Sequence, residues 1–188
     1  MDDATPVDTG PEASGPEASA PGHSRPIDPA DEGRVIELDG VAVLRFERSL
    51  AASPEQVWAA VTEADATDAW AFRMTLERRP GGTVEFDVDG ETSSGDVLAY
   101  DEPRVLEYAW GGPGGRWHVC LMIDEEGDGG SLLTFDHLAP DPRDPDFAAG
   151  WHWHLDRLEQ WLAGERPAQV FSDAHFDELQ RLYSLAEG

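Results

Sequence analysis

Six histidines, one cysteine and a large excess of carboxylates are the groups in this chain that could do chemistry. His152 and His154 stand two apart in a stretch with helical periodicity. They therefore point about 200° away from each other round the axis and cannot hold one metal ion together. The His-Glu-x-x-His spacing that sets two imidazoles over a zinc ion is absent. His152 and Asp156, four apart, do share a face, and Asp156 could fix the imidazole tautomer; the expectation is a surface pair worth about 0.5 kcal/mol. Cys120 alternates with Val119 and Leu121, so it is expected to point away from the core, and with no histidine in its register it makes a poor nucleophile. His154 sits at the edge of an apolar stripe and His137 ends the inward register of a strand. Each could anchor a ligand in a cavity, or serve as a core imidazole bonded to the backbone. The run Gly111–Gly115 matches no nucleotide-binding fingerprint and reads as a flexible hairpin tip, placed to act as a lid. No cofactor and no metal centre are expected.

Most of these groups depend on one helix, Phe147–Gly164. At about 100° per residue, Leu155, Leu158 and Leu162 fall within about 40° of Trp151, and Phe147, His154 and Trp161 widen the stripe on one side. Trp153, Asp156, Arg157 and Gln160 take the far side. Asp146 is expected to cap the start, and Gly164 with Pro167 to end it. So broad an apolar face needs a large partner surface.

The preceding chain supplies one. Val35–Leu38, Asp39-Gly40 and Val41–Leu50 read as a hairpin, because Asp-Gly suits the positive backbone angles of a tight turn. Leu44, Phe46 and Leu50 share a face with Arg48, which either reaches the edge or pairs with a carboxylate; the edge position is expected. Ser53-Pro54-Glu55-Gln56 starts a helix with a capping box, ending near Thr62, and a short second turn covers Thr67–Phe72. Six strand-like runs follow: Arg73–Arg79, Thr83–Val88, Ser94–Tyr100, Arg104–Trp110, Arg116–Asp124 and Ser131–His137. Short turn-forming breaks between them favour antiparallel neighbours, and their alternation implies one core face and one wet face. A final helix is expected from Ser172 or Asp173 to about Leu185, with Phe176, Leu179, Leu182 and Tyr183 as its apolar positions.

Composition narrows the function classes. The 188 residues suffice for one ordinary domain and a tail. Residues 1–33, rich in Pro, Gly, Ala, Ser and acids, repeat GPEAS in tandem and carry no aromatic residue, so they are expected to stay disordered. Residues 34–166 form the domain, and 167–188 a helical extension. The net charge is -26, and every one of the 13 basic residues is Arg. Such a surface repels phosphate, so neither nucleic acid nor an anionic membrane is an expected partner. A single cysteine rules out an intrachain disulfide, and the chain shows neither a long apolar run nor a basic-then-apolar leader. A cytoplasmic location is expected.

Three stretches carry a family resemblance: LRFERSLAASPEQVWAAVTE, SSGDVLAYDEPRVLEYAWG and AAGWHWHLDRLEQWLAG. Together they resemble the SRPBCC/START-like superfamily, and within it the bacterial proteins similar to the C-terminal domain of the activator of the heat shock protein 90 ATPase. The likeness spans roughly residues 34–164. It implies an α+β helix-grip fold, a curved antiparallel sheet wrapped round a long C-terminal helix, often enclosing an apolar cavity. The function it implies is binding of a small apolar or amphipathic ligand between sheet and helix. Pocket walls would come from Leu106, Tyr108, Trp110, Val119, Leu121, Phe135, Trp151, Leu155 and Leu158, with His137 or His154 as polar anchors. Trp58, Trp70 and Trp117 are expected near the same interface. Two other functions stay open: a co-chaperone or stress-linked module that meets a chaperone through its surface, and a cyclase- or hydrolase-type enzyme with His137 or His154 as acid–base.

Overall fold

The computed structural model describes residues 27–167, except 89, 113 and 128, together with residues 173–185. Eight antiparallel strands form one sheet: β1 Arg34–Leu38, β2 Val41–Leu50, β3 Arg73–Leu76, β4 Thr83–Val88, β5 Glu91–Asp101, β6 Val105–Gly112, β7 Gly115–Glu126 and β8 Gly130–Ala139. Their spatial order is β1-β2-β8-β7-β6-β5-β4-β3. The six strands after the helices thus run as a meander, and the last of them, β8, pairs with β2. Helices α1 (Pro54–Thr62) and α2 (Ala64–Trp70) follow β2, and α3 (Pro145–Leu162) and α4 (Asp173–Leu185) close the chain.

Local chemistry accounts for the boundaries. Asp39 and Gly40 take φ of 50° and 82°, the double positive angle of the two-residue turn expected between β1 and β2. Ser53 and Gln56 form the reciprocal capping box that starts α1. At α3 the cap is Asp144, not Asp146: its side chain accepts from the Asp146 N–H, and Pro145, whose φ is already helical, occupies the first position. The strand expected over Arg73–Arg79 stops at Leu76, because the chain turns back there and the Glu77 carboxylate accepts from the Thr83 N–H.

The core lies between the inner sheet face and the helices. Phe46, Val84, Leu106, Val119, Leu121, Ile123, Leu133 and Phe135 meet Trp151, Leu155 and Leu158 of α3 and Val57, Trp58 and Val61 of α1. Burial on this scale stabilises by roughly 1.5–3 kcal/mol per large side chain before the entropy of ordering is subtracted. The sheet therefore grips α3.

Helix α3 has cover on more than one face. Helices α1 and α2 contact it on the His154 side, and α4 lies against it on the other. For that reason Trp153, expected on the far side, is buried, with the Arg157 guanidinium 4.3 Å from the centre of its ring. Of the tail expected over 1–33, residues 1–26 fall outside the described residues. The last seven do not hang free: Ile27 packs on the core, Pro29–Asp31 form a 3-10 turn, and the Gly33 N–H donates to the Tyr183 hydroxyl at 2.7 Å. Ser172, the alternative cap for α4, lies outside the described residues.

Candidate functional site

At the end of the grip where β6 turns into β7, the inward alternation of four elements brings aromatic rings together. Phe86 of β4 lies 4.8 Å from Trp110, and Tyr108 lies 5.5 Å from it. Trp110 stacks on Trp117 across the hairpin at 5.5 Å with planes 23° apart. Trp117 in turn meets Phe147 edge-on at 4.9 Å, His137 at 5.6 Å and Trp151 at 6.3 Å. Offset and edge-on pairs of this kind are the arrangements that ring quadrupoles favour. Trp110, Trp117 and Phe147 keep part of their surface exposed, so the array opens to solvent at one end.

Gly112 makes the tryptophan stack possible. A side chain there would come within 3.0 Å of the Trp117 indole and 3.5 Å of the Trp110 indole nitrogen. Trp117, Phe86 and Phe147 belong to this array but not to the wall set expected from the sequence. The signal was available for Trp117: with residues 113 and 114 as a two-residue turn, counting outward pairs Gly112 with Gly115 and Trp110 with Trp117, as observed.

The expected wall residues divide into two groups. Leu106, Val119, Leu121, Phe135, His137, Leu155 and Leu158 each expose 2% or less of their surface. A void large enough for water would leave accessible surface on its walls, so these seven meet other protein atoms. Tyr108, Trp151 and His154 retain a trace of exposure, and Trp110 is half-buried. The deep residues are therefore packed core, and open surface begins at the aromatic end. An open groove of about 550 Å³ elsewhere, between the first turn of α3 and α4, is lined by Asp146, Asp177, Gln180, Arg181, Ser184 and Leu185 and includes no residue of the expected set.

Hydrogen bonds assign the tautomers of the two candidate anchors. The Trp151 indole N–H donates to His137 Nδ1 at 3.1 Å, so the ring proton sits on Nε2, 2.8 Å from the Pro140 carbonyl that accepts it. Both ring nitrogens of His137 are thus engaged. His154 Nδ1 donates to the Trp70 carbonyl at 3.1 Å. Burial pushes both imidazoles down to about 4, against the opposing pull of those carbonyls, so both are neutral at pH 7. Arg157, beside His154, donates to the Ala69 carbonyl at 2.8 Å. Together the two side chains bind the last carbonyls of α2, where the helix dipole favours a cation.

On the other side of α3 the structure corrects two expectations. Arg48 does not reach the sheet edge; it is 1% exposed. Its Nε lies 3.1 Å from Glu159, Nη2 3.7 Å from Asp156 and Nη1 3.9 Å from Asp31, and Nη1 also donates to the Asp31 carbonyl. A guanidinium on an apolar face without such partners would cost several kcal/mol, and two of the carboxylates, Asp156 and Glu159, lie more than 100 residues downstream, out of reach of local pattern reading. The His152–Asp156 pair, 3.4 Å apart, is buried and not on the surface, because α4 covers it. His152 Nδ1 meets the Tyr183 hydroxyl at 2.8 Å, and His175 Nε2 reaches Asp156 at 2.9 Å.

The outer face of the sheet carries a row of paired charges. Arg45 grips Asp136 through two bonds of 2.7 and 2.6 Å, and His118 meets Glu107 at 2.7 Å. Cys120, on this face, lies opposite both Glu107 and Asp136 in register. Burial first, then those two carboxylates, push its thiol up to about 12, so thiolate chemistry at neutral pH is closed to it. Among the described residues, no three His, Cys, Asp or Glu side chains come together in a way that could hold a metal ion, and no helix is long and apolar enough to cross a membrane.

The grip of an eight-stranded antiparallel sheet on a long C-terminal helix, with short helices after the first long strand, defines a START-like domain of the SRPBCC superfamily. Within it, residues 51–163 match the model of the family described as activator of Hsp90 ATPase homolog 1-like protein, and the chain belongs to that family. No curated protein matches the chain. Solved structures similar to it include CalU16 from Micromonospora echinospora, at a TM-score of 0.63 and 24% identity over 82% of this chain and 93% of that one. A conserved protein of unknown function from Enterococcus faecalis, EF2215, gives a TM-score of 0.65 at 20% identity over 84% of this chain and 91% of its own. The product of BPP1335 from Bordetella parapertussis gives 0.62 at 26% identity, over 86% and 94%.

Proposed function

We propose that this domain binds a small apolar or amphipathic ligand at the aromatic end of the grip, acting in the cytoplasm as a binding protein and not as an enzyme. The observation that carries this reading is the continuous array from Phe86 through Tyr108, Trp110 and Trp117 to Phe147 and Trp151, closed at its inner end and open at its outer one. Rings that are stacked yet partly wet offer apolar area at low cost in side-chain entropy, and indole N–H groups can orient a polar substituent. The packed residues Leu106, Val119, Leu121, Phe135, Leu155 and Leu158 form the floor beneath the site. The β6–β7 hairpin, in which Gly111, Gly112 and Gly115 belong to the strands, borders the mouth. His137 and His154 then act through Trp151 and α2, holding the floor in place and not touching the ligand.

Titration with the neutral apolar probe N-phenyl-1-naphthylamine, read by quenching of tryptophan emission, tests the site. Saturable binding is expected, weakened about tenfold or more in Trp117→Ala and Trp110→Ala, which corresponds to loss of about 1.4 kcal/mol or more of contact. Absence of saturable binding, or equal affinity in both variants, would overturn the proposal.

A second reading, a module that meets a protein partner such as a chaperone, draws on Val35, Leu38 and Val41, which lie exposed on the β1–β2 hairpin at a free edge of the sheet. Substitution of these three by Ser or Thr would abolish such an interaction and leave probe binding intact.

A further inference from the structure

The two edges of the sheet are treated differently. At the β3 edge the Met74 N–H donates to the Thr67 hydroxyl at 3.1 Å, and α2 packs alongside. At the other edge β1 pairs with β2 alone. The Asp39-Gly40 turn decides which backbone groups of β1 face β2. Leu38 and Val41 flank that two-residue turn and exchange both their hydrogen bonds, after which the pattern alternates. Leu38, Ile36 and Arg34 therefore bond Val41, Val43 and Arg45, while Gly33, Val35 and Glu37 turn their polar groups away from the sheet. The Gly33 N–H is taken by the Tyr183 hydroxyl at 2.7 Å. Among the described residues, nothing bonds the outward N–H and C=O groups of Val35 and Glu37.

The side chains on this edge have a definite chemistry. On the outer face Leu38 and Val41, 40% and 54% exposed, continue from half-buried Ile36 as a short apolar strip. On the opposite face Val35 is 46% exposed, and Glu37 follows it. The Arg34 guanidinium is already engaged by Glu47. Glu37 and Asp39 are exposed and enter no ion pair among the described residues. The local charge is thus negative, in a chain whose net charge is -26. A second copy of the chain would bring the same carboxylates and the same excess to the contact, and repulsion opposes it. The edge is complementary to an extended backbone with apolar side chains on one face and basic ones on the other.

We propose that β1 accepts an extended, basic segment of a partner protein as a ninth strand of the sheet. The proposal rests on the second reading above, to which it gives a mode of contact, and not on the aromatic site. Backbone bonds to Val35 and Glu37 supply the affinity, and the side chains of alternate residues supply the selectivity. The bond from Gly33 to Tyr183 closes one end of the edge, so the added strand takes its register from Val35 and Glu37. Lysine or arginine then lies beside Glu37, and apolar residues lie against Ile36 and Leu38. The negative field of the whole chain speeds the encounter, and salt weakens it.

Fluorescence anisotropy of a labelled, capped peptide of about seven alternating valines and lysines tests the edge on the full chain. Saturable binding is expected, and it should weaken severalfold in high salt. Methylating the peptide's backbone nitrogens on one edge keeps its charge but removes its donors, and should weaken binding at least tenfold. A peptide with glutamate in place of lysine should not bind. Val35→Pro removes one outward donor and leaves the β1–β2 ladder intact, because that N–H faces away from β2. Glu37→Arg alters a single side chain on the surface. Each variant should weaken binding about tenfold, with unchanged affinity for N-phenyl-1-naphthylamine showing that the domain remains folded. Absence of binding, equal binding of the methylated or the glutamate peptide, full affinity in Glu37→Arg, or a dimer of the chain formed through β1 would each overturn the proposal. If the methylated peptide binds normally but Leu38→Ser abolishes binding, strand addition fails and the second reading stands.

Discussion

Three buried imidazoles make this domain acid-labile in a calculable way. His137, His152 and His154 are 0%, 1% and 6% exposed, and burial lowers each to about 4 from an ordinary 6.5. Lowered values mean that the unfolded chain binds protons the folded one refuses, so stability is complete above 6.5 and is lost as pH falls towards 4. At pH 5 each imidazole removes about 2 kcal/mol, and the three together remove about 6 kcal/mol. That is comparable with the whole stability of an ordinary domain, about 5–15 kcal/mol. Urea denaturation followed by tryptophan emission at half-unit steps from pH 7 to 5 should show the unfolding free energy falling with a slope approaching about 4 kcal/mol per pH unit, the signature of three protons taken up. His175 is shifted the other way, upward through its bond to Asp156, so near pH 6.5–7 it opposes this slope, and by pH 5, with both states protonated, it no longer contributes. Replacing His154 with Gln should lower stability at pH 7 and reduce the slope by about 1.4 kcal/mol per unit. A slope near zero between pH 6.5 and 5, before ordinary carboxylates begin to titrate, would refute the reasoning.

Other consequences are direct. Arg48→Ala leaves Asp31, Asp156 and Glu159 facing one another without their shared cation, and a loss of about 3–5 kcal/mol in urea denaturation is expected. Arg48→Met, which restores apolar volume but not charge, should recover only a small part of it. Gly95→Ala should be worse tolerated than an ordinary strand glycine. A Cβ there would fall 2.0 Å from the Ala109 carbonyl and 2.6 Å from Trp110 Cα, both backbone atoms that cannot step aside, so β5 must part from β6. Loss of the cooperative thermal transition, or a melting point lower by 10 °C or more, is the expected outcome, on the order of 2 kcal/mol or beyond.

How much of this was legible in the sequence depended on the range over which each interaction acts. Turns, caps and strand alternation are local, so Asp39-Gly40, the Ser53–Gln56 box and the inward registers of β6, β7 and β8 could be read from neighbours along the chain, and with them the helix-grip architecture. The 3.6-residue stripe of α3 found the face that meets the sheet, because that face is the widest. It could not find the other faces, since the burial of His152 depends on Tyr183 of α4, a helix that docks through its own apolar positions. The same limit governs Arg48. Period-2 alternation placed it on the core face, but its partners come from α3 and from the turn before β1. Of the aromatic array, the expected wall set held Tyr108, Trp110 and Trp151 but not Phe86, Trp117 or Phe147, and it left open whether the interface encloses space. Volume is a sum over all the side chains that meet there. Leu106, Val119 and Leu155 are apolar residues on inward registers whether a cavity lies before them or another leucine does. What distinguishes the two cases is packing, and packing leaves Trp110, Trp117 and Phe147 as its partly exposed edge.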